Sequence, residues 1–175
     1  MNNSLGQCAY EVAQYEADHS DAGYTGDVDN RSQQVDKFLA VAGHLPKNAN
    51  TAGAPWCGIF VYYCYSKAAS DNGRTNPLDD HVYSAHRLRN WALKHPNWVV
   101  WQQGSSRKAR LAPGDIFVTS SVHHIGMVGF APDIPTANFI SVEGNQTHPG
   151  QKVKQNGIQS KVRGLDSCSI IIRVP

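Results

Sequence analysis

The sequence predicts an α+β domain in which a layer of helices packs against an antiparallel sheet. Residues 4–94 carry apolar side chains at helical spacing, whereas residues 98–174 carry short apolar, β-branched runs between turn signals. Helices followed by strands along one chain are typical of this fold class. A chain of 175 residues is long enough to bury one hydrophobic core, so a single domain is expected.

Four helices are predicted in the first half of the chain, over residues 4–17, 32–42, 57–69 and 82–94. Ser4 is expected to cap the first helix, and Gly43 to end the second. The sequence Asp71-Asn72-Gly73 stops the third. The acidic segment 19–30 is predicted to be a solvated loop, because its carboxylates do not follow the spacing of a calcium-binding EF-hand.

Five strands are predicted in the second half, over residues 98–101, 116–119, 123–130, 139–143 and 168–174. The first is expected at a sheet edge, and the second and third are expected to form a hairpin. Residues 146–160 are polar, and we predict a long loop there, beside the third and fourth of these strands.

Composition narrows the classes of function. Hydrophobic and charged fractions of 41% and 17% are those of an ordinary globular protein, and a net charge of +2 is too small to indicate nucleic-acid binding. No apolar stretch approaches the roughly 20 residues that span a bilayer. Residues 1–4 show no basic and apolar signal sequence, so no secretory signal is expected. The basic segment 107–110 is predicted to be a solvated loop that could also attract an anionic polymer.

The four cysteines show no zinc-type Cys-x-x-Cys unit. Cys57 and Cys64 fall on one predicted helix about 10 Å apart, which is beyond the reach of a disulfide. Cys64 is therefore expected in the core. Cys8 and Cys168, near the two chain ends, could form a bridge in an oxidising compartment.

Cys57 is the residue that the sequence marks most clearly. It follows Pro55-Trp56 and precedes Gly58 and an apolar helical run, so its sulfur is expected at a helix N-terminus. Unpaired N–H groups and the helix dipole favour a thiolate there, and such sites can lower a cysteine pKa from about 8.5 to roughly 3.5–7.5. A buried structural cysteine is the alternative.

A histidine and a carboxylate follow where a cysteine nucleophile would need them. Adjacent strand residues face opposite ways, so only one of His123 and His124 can meet Cys57. His124 shares its face with Gly126, whose missing side chain would leave room for a helix end, but alternation alone does not decide between the two histidines. The imidazole would exchange a proton with sulfur, and Glu143 or Asn145 could accept a hydrogen bond from its other nitrogen. Three further histidines are expected on the surface: His81, His86 and His95.

At these positions the sequence resembles the CHAP amidases and peptidases within the broader NlpC/P60 cell-wall hydrolases. The resemblance spans roughly residues 54–145 and rests on four motifs in the family's order: Trp56-Cys57, Pro113-Gly114-Asp115, His124-Ile125-Gly126-Met127 and Glu143-Gly144-Asn145. It implies a papain-like fold in which residues 1–175 form one CHAP-like catalytic domain. It also implies a role for each of four side chains: Cys57 as nucleophile, His124 as general base and acid, Glu143 as orienting carboxylate, and Asn145 assisting.

The function implied by the resemblance is hydrolysis of an amide bond in peptidoglycan or its stem peptides, without a metal or other cofactor. The enzyme would be a cysteine amidase or endopeptidase. Family members often carry an export signal and a wall-binding module, and neither is visible in this sequence. Delivery by another route is therefore expected, either by phage lysis or as an antibacterial effector injected into a periplasm, with a cognate immunity protein as partner.

Two alternatives use the same sequence features. A cysteine hydrolase, deamidase or transglutaminase acting on a protein or small-molecule amide would use the same Cys-His-polar triad. A non-catalytic binding module would keep the fold and hold a ligand in a groove with Trp98 and Trp101, two residues that are otherwise expected in the core.

Overall fold

The computed structural model describes residues 3–19, 32–43, 55–105, 110–132, 137–147 and 156–175. Within these ranges the chain forms four α-helices and a six-stranded antiparallel sheet of order β1-β6-β2-β3-β4-β5, which confirms the α+β class. The helices are α1 Leu5–Asp18, α2 Gln33–Val41, α3 Cys57–Asp71 and α4 Ala85–Leu93. The strands are β1 Val99–Gln102, β2 Ile116–Thr119, β3 Ile125–Phe130, β4 Asn138–Thr147, β5 Asn156–Gly164 and β6 Cys168–Ile172.

Side-chain caps set the starts of the first two helices, and the cap at Ser4 was predicted. The Ser4 hydroxyl accepts a hydrogen bond from the Gln7 N–H, and the Ser32 hydroxyl accepts one from Val35. Gly43, with φ of 70°, follows α2 in the left-handed conformation typical of a helix end. Residues 20–30 of the predicted acidic loop and residues 107–109 of the basic segment 107–110 lie outside the described residues.

The fourth predicted helix is divided. Residues Asp80–Tyr83 form a 3-10 turn, and α4 begins only at Ala85. Ser84 between them is extended, and its hydroxyl accepts a hydrogen bond from the N–H of Arg87. A serine that caps the following helix breaks the helical run, which apolar spacing alone does not reveal.

One strand was missed. The prediction of a loop over residues 146–160 is wrong at both of its ends, because β4 continues to Thr147 and β5 spans Asn156–Gly164. Residues 148–155 lie outside the described part of the chain. β5 is a sheet edge that pairs antiparallel with β4, and its polar side chains carry no alternating apolar signal.

The sheet buries apolar side chains on both faces. Ile116, Val118, Ile125 and Met127 join the large core cluster that contains the helices, whereas Phe117 and its neighbours form a second cluster on the other face. Cys8 packs against the first cluster and Cys168 belongs to the second. All four cysteines are free thiols, so the suggested bridge between the chain ends is not formed.

The expectation that His81 lies on the surface is wrong. His81 is buried and stacks on Trp91, with ring centroids 4.2 Å apart, instead of lying on the surface. Burial lowers the pKa of His81 to about 4, so the ring is neutral at neutral pH. Trp98 packs against the helix-side cluster and Trp101 against the other, in agreement with a place in the core and not with one shared groove.

The Pro113-Gly114-Asp115 turn packs against the first helix and is bonded to the end of the chain. Gly114 has a φ of 90°, and a Cβ atom there would overlap the backbone of Gly6. The buried Asp115 carboxylate accepts hydrogen bonds from Nε and Nη2 of Arg173, each 2.8 Å long, and so ties the start of β2 to the chain end. None of the described helices is long and apolar enough to cross a membrane.

Candidate active site

Cys57 is the first residue of α3, as the sequence predicted. Its side chain is only 5% exposed, and the N-cap residue, Trp56, contributes no side-chain capping bond. The sulfur instead accepts hydrogen bonds from the backbone N–H groups of Gly58 and Ile125. It also hydrogen-bonds to the His124 side chain. The helix start therefore surrounds the sulfur with donors, which is the environment that stabilises a thiolate.

Gly58 allows a tight approach behind the sulfur. A Cβ atom at this position would overlap the carbonyl oxygen of Val82 and lie 3.0 Å from Cδ1 of Ile125. The 3-10 turn and the start of β3 can therefore both close against the helix N-terminus. This packing brings the backbone N–H of Ile125 to the Cys57 sulfur.

His124 immediately precedes β3, where the β2–β3 hairpin turns. Its backbone N–H donates to the Thr119 hydroxyl, 3.2 Å away, and its carbonyl accepts from the Thr119 N–H at 3.0 Å. Val122 in the turn has a φ of 57°, unusual for a β-branched residue. These contacts hold the imidazole between Cys57 on one side and Glu143 on the other, with Nε2 2.9 Å from Oε2 of Glu143.

The structure places His124 beside Cys57, but the space at Gly126 is not used as expected. A Cβ atom on Gly126 would lie 2.5 Å from Cζ of Phe117 and 2.9 Å from Cγ of Glu143. The missing side chain therefore makes room for the carboxylate and for Phe117, on the face away from the helices, and not for the helix end. His124 lies outside the strand, so alternation does not fix its direction.

Glu143 is fully buried, with 0% of its surface exposed, and all of its partners are polar. Arg163 donates to it through both arms, Nε to Oε1 at 2.7 Å and Nη2 to Oε2 at 2.6 Å. The Ser141 hydroxyl donates to Oε1 and His124 donates to Oε2. A buried carboxylate with this many donors is both ionised and immobile.

Asn145 lies two residues beyond Glu143, half-buried and with a φ of 59°, where the register between β4 and β5 shifts. Gln146 follows it and places its amide nitrogen 2.8 Å from Nε2 and 3.3 Å from Nδ1 of His124. Lys161 donates to the amide oxygen of Gln146, which fixes the orientation of that amide.

Charge is distributed to favour a thiolate–imidazolium pair. Burial alone would raise the pKa of Cys57. The hydrogen bond and charge of His124, together with two backbone N–H groups, lower the pKa by more than burial raises it, so the net shift is downward. Burial opposes a charged His124, yet its bonds to Cys57 and Glu143 raise its pKa to about 9. Burial likewise opposes ionisation of Glu143, but Arg163, His124 and Ser141 bring its pKa down to about 2. The two groups of the pair titrate together.

Sequence reasoning missed four polar residues of this site: Ser141, Gln146, Lys161 and Arg163. Three of them lie on β5 or at the end of β4, where we had predicted a loop or no strand. Ser141 could have been found, because alternation on β4 puts it on the same face as Glu143.

The described ranges contain no group of three or more histidines, cysteines and carboxylates that could hold a metal ion. A cleft of about 1190 Å³ lies along the outer part of α3, lined by Glu16, Tyr63 and Lys67 among others, and Cys57 is not part of its wall. Glu16 in that cleft is buried and bonded to Lys37 and Tyr63, as a structural ion pair would be.

Searches against protein-family models, curated proteins and solved structures found no match to this chain.

The pKa shifts predict how the reactivity of Cys57 depends on pH. Because the pKa of the thiol is lowered, its alkylation by iodoacetamide should persist to lower pH than that of an ordinary thiol. Hydrolysis that needs a protonated His124 should decline as the pH rises through about 9. Mass spectrometry of alkylation at each cysteine measures the pH dependence of Cys57. Buried Cys64, whose pKa is raised, is the internal control. A Cys57 profile like that of an ordinary thiol would contradict the ion pair.

Proposed function

We propose that this protein is a cysteine hydrolase that cleaves an amide bond in peptidoglycan, with a papain-like arrangement of its helices and sheet. The observation that carries the proposal is the continuous chain of contacts from Cys57 to His124 to Glu143. A sulfur at a helix N-terminus, an imidazole and a buried carboxylate form the nucleophile, the base and the group that orients the base.

Each residue has a defined part in the reaction. The Cys57 thiolate attacks the amide carbonyl carbon, and the backbone N–H of Cys57 at the start of α3 donates to the developing oxyanion. Nε2 of His124 donates its hydrogen bond to Glu143, so Nδ1 is the nitrogen that gives its proton to the departing amine. A water molecule, deprotonated by the same imidazole, then attacks the thioester and releases the acyl product. The buried Glu143 holds the ring in one orientation through both steps.

The bacterial wall as substrate is supported by the resemblance of the four ordered motifs to CHAP enzymes. In the proposed reaction the substrate is either the N-acetylmuramoyl-L-alanine bond or an amide within the stem peptide or cross-bridge. The enzyme acts in the periplasm or at the cell wall after delivery by phage lysis or by a secretion system. An effector of that kind would need a cognate immunity protein that covers Cys57 in the producing cell.

Digestion of purified sacculi, followed by mass spectrometry of the soluble muropeptides, tests the proposal. The wild-type protein should release fragments with one class of new amino terminus, and Cys57→Ala should release none. The amino terminus identifies the bond that is cut. Release of ammonia from glutamine-containing proteins, with intact sacculi, would instead indicate a deamidase or transglutaminase. Equal release by wild type and Cys57→Ala would overturn the mechanism.

A further inference from the structure

Arg163 on β5 closes the site on the side away from the helices. Its guanidinium donates through Nε and Nη2 to the two oxygens of Glu143, and it lies over the Phe117 ring, 5.8 Å from the ring centroid. The side chain is 23% exposed, whereas Glu143 is not exposed at all. The arginine is therefore the link between a fully buried carboxylate and the surface.

A buried carboxylate needs such a partner. Without a compensating charge, burial favours the protonated form, and a protonated Glu143 would no longer be a strong acceptor for the imidazole. Arginine suits this place better than lysine because its planar fork bonds both carboxylate oxygens at once and prevents rotation of the carboxylate. Ser141 supplies a further donor but no charge.

Counting the charges shows a second effect. In the reactive state the thiolate, the imidazolium, Glu143 and Arg163 sum to zero. Without Arg163 there are two cases. If Glu143 stays ionised, the thiolate state carries a net negative charge. If Glu143 is protonated, His124 loses its strong acceptor. Both outcomes disfavour the thiolate. Lys161, the other cation of β5 beside the site, bonds to the Gln146 amide, and the Cys168 thiol near Arg163 is neutral because burial raises its pKa to about 11.

We propose that Arg163 is a positioning residue of this site, which holds Glu143 ionised and in one orientation and thereby keeps His124 paired with Cys57. The inference rests on the proposed function for its role in hydrolysis. The effect of Arg163 on the Cys57 thiol does not depend on any substrate. An experiment can therefore contradict the proposed hydrolysis without contradicting the role of Arg163, and the reverse.

The chain contains a matched control for the structural part of this contact. Arg173 makes the same two-armed contact to the buried carboxylate of Asp115, with Nε and Nη2 each 2.8 Å from an oxygen. That pair joins the Pro-Gly-Asp turn to the chain end and has no contact with His124 among those the structure shows for the described residues. Arg173→Met therefore removes an equivalent ion pair from the same sheet without altering the site.

The test compares Arg163→Met, Arg163→Lys and Arg173→Met with wild type. Iodoacetamide alkylation of Cys57 is followed by mass spectrometry across pH, and release of wall fragments is measured in parallel. We expect Arg163→Met to slow alkylation in mild acid at least about tenfold, because one pH unit in the titration corresponds to that factor. Hydrolysis at neutral pH should fall by about 100-fold, as for a small misplacement of a catalytic group. Arg163→Lys should lie between, and Arg173→Met should keep the wild-type pH profile.

Thermal unfolding separates a structural effect from positioning. Loss of stability is expected in both methionine variants, but only the Arg163 variants should change the alkylation profile. If Arg163→Met does not fold, Arg163→Lys retains the charge and decides the question. A folded Arg163 variant whose profile matches that of Arg173→Met would overturn the inference. An altered profile in a protein that leaves sacculi intact would support the positioning role and reject the proposed wall hydrolysis.

Discussion

Replacement of His124 by alanine is expected to lower the rate of wall hydrolysis by about 10³-fold or more, toward the upper part of the range for a lost general acid–base group. The variant loses the proton donor for the leaving amine. It also loses the hydrogen bond and the positive charge that lower the pKa of Cys57. The initial rate of muropeptide release from sacculi at neutral pH measures the effect.

His123 provides the matched control, because it is the neighbouring residue of the same type and its side chain is exposed. His123→Ala should stay within about twofold of wild type, as expected for a surface substitution. The double variant Cys57→Ala/His124→Ala should be no slower than Cys57→Ala alone, since the two groups act as one unit. A His124→Ala protein as active as the His123→Ala protein would exclude the proposed ion pair.

The parts of the fold that the sequence predicted are those with a strong local signal. Ser4 and Ser32 mark helix starts because a hydroxyl in front of a helix satisfies a free N–H group. The strand over residues 116–119 agrees with β2 because it is a short, bounded run of apolar residues. Cys57 at a helix start follows from the proline and tryptophan before it and the apolar run behind it.

The parts that failed are set by hydrogen bonds and stacking contacts that the apolar pattern does not reveal. β5 exists because β4 offers it hydrogen bonds, and these bonds are made by the backbone whatever the side chains are. Ser84 divides the fourth helix by capping rather than by any break in the apolar pattern. His81 is buried because Trp91 stacks on it from the next helix, a contact that composition does not encode.

The candidate site divides in the same way. Motif order singled out Cys57, His124 and Glu143, which the structure brings into contact. The groups that control the charge of these residues were not found, because Arg163 lies 20 residues from Glu143 on β5, a strand that the sequence did not predict. At Gly126 the sequence identified the glycine but not its neighbours. The space left by the missing side chain is filled by Phe117 and Glu143 and not by the helix end.

Replacement of Glu143 by glutamine should affect stability and activity together. The substitution keeps the shape but removes the negative charge, and it turns one oxygen that accepts from Arg163, Ser141 or His124 into a donor. Removing one partner of a buried ion pair costs about 3–5 kcal/mol, and we expect the lower end because Arg163 remains 23% exposed and keeps some contact with water. Hydrolysis should fall by about 10²–10⁴-fold, because the imidazole loses the group that fixes its tautomer.

The stability difference should depend on pH in one direction. The pKa of Glu143 is lowered from 4.5 to about 2 in the folded protein, so its stabilising effect is fully present above 4.5 and is lost as the pH falls through about 2. Urea unfolding of wild type and Glu143→Gln should therefore show a gap that narrows as the pH falls into acid. Asp115→Asn, which breaks the other buried carboxylate–arginine pair, should destabilise the protein without slowing hydrolysis. If Glu143→Gln loses stability but keeps wild-type hydrolysis, the carboxylate is a structural group and His124 does not depend on it for its orientation.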